Sequence, residues 1–157
     1  MSSIKQAFNA YGTFSCSVAS LANGSARQSS VIDNSSGLYL DAFVKFKVKT
    51  NSNTGVTSLG YIEVFAFATV NSGGFFTDNA GATDAAITPS AAIRIGTFPA
   101  IANNTTYYSQ AMSVAEAFGG KLPYKWGIII KNSTGAALDG TEASHDKVYQ
   151  EMYLTNA

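Results

Sequence analysis

The chain has 157 residues, with 10 Lys plus Arg and 10 Asp plus Glu, so its formal net charge is zero with His neutral. Only 13% of residues are charged and 46% are hydrophobic, which excludes a disordered polyelectrolyte and an electrostatic nucleic-acid binder, both of which need a charge excess. The length fits one domain, and no apolar run approaches the roughly 20 residues of a membrane helix.

In chain order, Met1-Ser-Ser-Ile-Lys-Gln-Ala-Phe-Asn-Ala10 lacks the continuous apolar core of a secretory signal. Ile4, Phe8 and Tyr11 are spaced by four and three, as on one face of a helical turn. A segment this short does not hold a helix in water. Residues 1–12 are therefore expected to form an N-terminal arm, mobile in isolation or held by a partner. Residues 13–157 read as a single β-sandwich domain.

Period-2 patterns dominate the rest. Thr13 to Leu21 alternates, placing Phe14, Cys16 and Val18 on one face. Cys16 is the only cysteine, which excludes an intrachain disulfide and reads as a small buried hydrophobe. A short strand is expected near 28–33. The clearest strand is Leu38 to Lys49, with Leu38, Leu40, Ala42, Val44, Phe46 and Val48 facing one way. Lys45, Lys47 and Lys49 form a basic stripe on the other face, read as solubility and edge protection or as a match for an acidic surface. An Asn- and Gly-rich turn leads to Tyr61 to Val70, which is apolar on both faces. The stretch from Asn71 to Ser90 is long and irregular, as functional or packed loops are. Asp78 and Asp84 within it fit turn formation better than a calcium loop. Further strands are expected at 92–98, 106–113, 125–131 and 147–154. Ser113 and Glu116 have capping-box spacing before Gly119-Gly120, giving a helical turn at 113–118. Trp126-Gly-Ile-Ile-Ile130 reads as a strand buried on both faces. About eight strands predict an all-β, antiparallel, jelly-roll-like sandwich.

Chemistry is sparse. His145 sits in a polar loop with Glu142 and Asp146 nearby, where a solvated His is expected. No G-x-S-x-G, P-loop or H-E-x-x-H occurs, so no catalytic residue, cofactor or metal ligand is nominated. Asn34, Asn103, Asn104 and Asn132 match glycosylation sequons but read as turn residues. Surplus apolar side chains at Ile4, Phe8, Tyr11, Tyr61, Phe65, Phe67, Phe75 and Phe76 point to a partner surface. Phe75-Phe76 and Tyr107-Tyr108 are neighbours, so one of each pair faces the core and one faces outward. Subunit contact and sugar stacking both fit such aromatics.

Three motifs stand in order: Asp33-Asn-Ser-Ser-Gly-Leu-Tyr-Leu-Asp-Ala42, Ala115-Glu-Ala-Phe-Gly-Gly-Lys-Leu-Pro-Tyr-Lys-Trp-Gly-Ile128, and Asn132-Ser-Thr-Gly-Ala-Ala-Leu-Asp139 followed by Tyr149-Gln150. This set resembles small structural proteins of tailed bacteriophages, from about residue 27 to the C-terminus. The resemblance implies a non-enzymatic virion protein, made in the host cytoplasm and placed on the capsid exterior as a decoration (cement) protein. Its partners would be the major capsid protein lattice and copies of itself, a trimer being favoured, with no nucleic acid and no membrane. The alternative is a tail-associated structural or carbohydrate-binding module used in host recognition.

Overall fold

The computed structural model describes residues 3–52, 55–70 and 74–156. The start of the irregular stretch at 71–73, part of the turn at 53–54 and the first two residues of the expected arm lie outside the described residues. The strands are β1 (Ile4–Phe8), β2 (Gly12–Thr13), β3 (Ala26–Gln28), β4 (Ile32–Asp33), β5 (Asp41–Lys49), β6 (Tyr61–Thr69), β7 (Ala85–Ile87), β8 (Ile93–Pro99), β9 (Thr106–Tyr108), β10 (Met112–Ser113), β11 (Lys125–Ser133) and β12 (Asp146–Asn156). Among the described residues, no helix is long and apolar enough to cross a membrane.

Two antiparallel sheets face each other. The first has the order β1-β12-β5-β10, with β2 also on β12 and β9 also on β5; the second is β7-β3-β11-β6-β8, with β4 also on β11. Strands that share a neighbour are one strand broken once: β1 with β2, β3 with β4, β9 with β10. Counted so, the chain passes eight positions, ordered 1-8-3-6 in one sheet and 2-7-4-5 in the other, with β7 added at an edge. This winding is the jelly roll.

Two of the breaks use the same device. Ser29 Oγ accepts the Ile128 N–H at 3.0 Å, and Ser109 Oγ accepts the Phe46 N–H at 2.9 Å. Each hydroxyl donates in turn to the carbonyl of the following residue at 2.7 Å. A side-chain oxygen stands in for a ladder carbonyl, and regular pairing stops there. The expected strand at 13–21 is regular only at its start. Phe14, Cys16 and Val18 do point inward. Along it Phe14 N–H still bonds to Lys147 O at 3.0 Å and Ser15 O accepts Ser30 N–H at 2.7 Å, but Ser17 N–H turns to Asp84 Oδ2 and Ala19 N–H to Glu142 Oε2, both at 2.8 Å.

Two further expectations are corrected. Residues 4–8 are a strand at the sheet edge, in register from Ile4 opposite Asn156 to Phe8 opposite Met152. Positions four apart share a face of a strand as well as of a helix, so the spacing alone did not discriminate. The strand predicted from Leu38 begins at Asp41, and Leu38 and Leu40 are exposed. Leu38 has φ 48° and lies in a loop that Asn34 organises: its Oδ1 accepts Tyr39 N–H at 2.8 Å and its Nδ2 donates to Tyr39 O at 3.1 Å. The helical turn expected near 113–118 is present, as a 3₁₀ turn over Ala115–Phe118 in which Ser113 Oγ accepts the Glu116 N–H at 3.2 Å and Gly119 closes the end at φ 72°.

The core between the sheets contains Val44, Phe46 and Val48 of β5, Ile62 and Val64 of β6, and Trp126, Ile128 and Ile130 of β11. Burial of such side chains contributes about 1.5–3 kcal/mol each. Ile129 faces the opposite way, into a second cluster with Ala26, Phe67, Phe76 and Ala80. Residues 75–92 fold back as a flap that covers this outer face of the second sheet. The long irregular stretch, where described, thus packs on its own chain.

Candidate interaction surface

The eight residues expected at a partner surface fall in separate places. Phe67 is fully buried and Phe76 nearly so, with ring centroids 6.0 Å apart in an edge-to-face arrangement; Phe65 packs beside them. For these the expectation is corrected: the flap is what their aromatic surface meets. Phe75, next to buried Phe76, is 89% exposed. Tyr107 likewise packs toward the core while Tyr108 faces out. Tyr61 is partly exposed at the start of β6, opposite Pro99. Ile4, Phe8 and Tyr11 are exposed along the edge of the first sheet.

The edge carrying Ile4 and Phe8 has a distinct geometry. β5 pairs with β12 only as far as Met152, opposite Asp41. Beyond it, among the described residues, β12 has β1 as its only strand neighbour. The result is a two-stranded ribbon. Strand parity places Ile4, Phe8, Met152 and Leu154 on its outer side, and the Phe8 ring lies 6.2 Å from that of Phe43 on β5. On the other side Tyr153 meets Tyr39 edge-on at 6.1 Å. Leu38, Leu40 and Leu154 join these tyrosines around a groove of ≈ 500 Å³. Ile4 is 69% exposed and Phe8 and Leu154 are each 51% exposed. A two-stranded ribbon is marginal on its own in water, and this one carries exposed apolar groups on both sides.

The titratable groups are occupied with the fold. His145, expected in solvent, is buried. Its Nδ1 accepts the Lys49 N–H at 3.2 Å, and Nε2 lies 3.1 Å from the Asp139 carbonyl, so Nε2 is the ring's donor. The ring closes the gap between β5 and the loop before β12. Burial pushes the Cys16 thiol up to about 12, so it remains a protonated core group. Asp78 and Asp84 serve different neighbours. Asp78 accepts from Ser90 N–H, Ser90 Oγ, Ala91 N–H and Ala92 N–H at 2.6–2.9 Å. Burial opposes its ionisation, but these four bonds outweigh it and hold the carboxyl down at about 2. Asp84 binds Ser17 and the Arg27 guanidinium. Buried Lys147 pairs with Glu142. Glu63 lies between Arg94 and Lys131 at 3.4 and 3.2 Å. Among the described residues, no three His, Cys, Asp or Glu side chains come together.

The motif residues also act as scaffold. Asp41 accepts Ser113 Oγ at 2.7 Å and Ala115 N–H at 2.8 Å. Asn132, fully buried, donates to Leu21 O and Ala136 O at 2.8 Å. Sequence reasoning passed over Leu38, Leu40, Phe43 and Leu154 as surface residues. Phe43 did carry a signal, as an aromatic residue on a face otherwise bearing Asp and Lys. Leu38 carried none, because its alternation continues the core pattern of β5. Compared with known proteins, the chain matches no family model and no curated protein.

Proposed function

We propose that this chain is a non-enzymatic structural protein of a tailed-bacteriophage virion, a decoration protein that docks on the capsid lattice and on copies of itself. One observation carries the reading: the ribbon of β1 and β12 exposes Ile4, Phe8 and Leu154 where the sandwich does not need them. The motif resemblance from residue 27 onward supports it from a different direction. Many identical copies on a lattice bind through avidity, so each ribbon needs only a modest contact. A tail-associated position is the alternative within the same class.

The test is a pair of substitutions, Ile4→Asp with Phe8→Asp, which keep the backbone pairing of β1. Occupancy on purified particles and the thermal midpoint of the free protein are measured together. The expected result is a clear loss of occupancy with a small change in midpoint. Unchanged occupancy removes the ribbon from docking, and gene order beside tail genes moves the protein to the tail.

A further inference from the structure

The outer face of the first sheet carries a second feature, at the opposite end of β12 from the ribbon. Register places Thr13, Val148 and Lys45 side by side in one row and Asp146, Lys47 and Tyr108 in the next. With Tyr11 they line an open trough of ≈ 450 Å³, within the range of about 300–1,000 Å³ for ligand sites. Tyr11 and Tyr108 are 73% and 66% exposed. Between them the Lys47 ammonium and the Asp146 carboxylate lie 2.6 Å apart, both accessible to solvent. Lys45 is exposed, and among the described residues no carboxylate pairs with it. Paired strands set the positions of most of these groups.

The chemistry selects a ligand class. Exposed phenol rings offer flat apolar faces, as the C–H face of a pyranose requires. An adjacent ammonium and carboxylate present donors beside acceptors, which suits neighbouring hydroxyls that both donate and accept. Asp146 neutralises Lys47, so a single free cation remains; this is too little for a nucleic-acid backbone, which is bound through several. We propose that the trough is a saccharide-binding site taking one or two pyranose rings. Tyr11 and Tyr108 stack on the rings, Lys47 and Asp146 bind hydroxyls, and Lys45 reaches a polar substituent, including the carboxylate of a uronic acid. This inference does not rest on the decoration reading, since the ribbon residues take no part in it.

The experiment is an NMR titration of the full chain with lactose, cellobiose, N,N′-diacetylchitobiose and digalacturonate. Saturable shifts are expected at Thr13, Lys45, Lys47, Tyr108 and Val148 with at least one sugar, with a Kd on the order of 1 mM. Tyr108→Ala and Tyr11→Ala should each weaken that binding about tenfold or more, as loss of an aromatic anchor does, while Tyr108→Phe retains it. Both tyrosines are exposed, so thermal midpoints should stay close to the parent. The proposal is overturned if none of the four sugars shifts these residues. It is also overturned if a polyglutamate peptide shifts them and the sugars do not, which would assign the trough to an acidic protein segment. The shift map of the unsubstituted chain decides the matter even if a variant fails to fold.

Discussion

Among the described residues, Trp126 combines the largest fully buried side chain with a buried Nε1–H that has no hydrogen-bond partner. Its ring meets Phe14 and Tyr149 edge-on, each at 5.6 Å, so packing holds it in place. Trp126→Ala should cost ~3–5 kcal/mol in urea unfolding. Trp126→Phe should cost clearly less, because it also removes an unpaired donor whose desolvation costs about 1–3 kcal/mol. A cost below about 1 kcal/mol for the alanine variant would contradict the packing described. This residue was legible in the sequence because it opens a continuous apolar run. Lys147 and Glu151 were not. They face inward with Tyr149 on β12, and no periodicity predicts charged groups on a core-facing side. Glu142 and Asn9, which bond to them, come from other parts of the chain.

Among the elements, the flap over the second sheet depends on one carboxylate. Asp78 ties the beginning of residues 75–92 to their end through four hydrogen bonds. Its folded-state pKa is depressed, so its contribution is fully present above the ordinary carboxylate pKa of about 3.9 and is lost as pH falls toward 2. Hydrogen exchange at the Ala91 and Ala92 amides should therefore lose protection between roughly pH 4 and 2, ahead of the sheet amides. In Asp78→Asn the loss should already be present at neutral pH. Protection that stays constant to pH 2 would contradict this account. The long strands β5, β6 and β11 were legible because one or both faces are apolar over many residues. The flap was hidden because its anchors, Phe76, Ala80 and Ile87, are scattered among small residues without a period. The breaks at Ser29 and Ser109 were hidden for a different reason: a serine in a strand carries no local mark of the partner it will bond.

For the whole molecule, the proposed self-association has its own readout. Sedimentation over a wide concentration range should show an oligomer, a trimer being favoured, and Ile4→Asp with Phe8→Asp should return it to the monomer. A monomer at every concentration would count against association in free solution. The jelly roll adds a constraint on how the protein comes into being. β12 is the strand on which β1, β2 and β5 all pair, whereas every strand of the second sheet lies between Ala26 and Ser133. During synthesis, one sheet can therefore assemble while the other still lacks its central member. At ribosomal rates of about 5–20 residues per second, the nascent chain carries that half-sandwich with its inner face uncovered for a period on the order of seconds. Val64, Trp126 and Ile128 then stay open to chaperones and to neighbouring nascent chains until Asp146–Asn156 emerges.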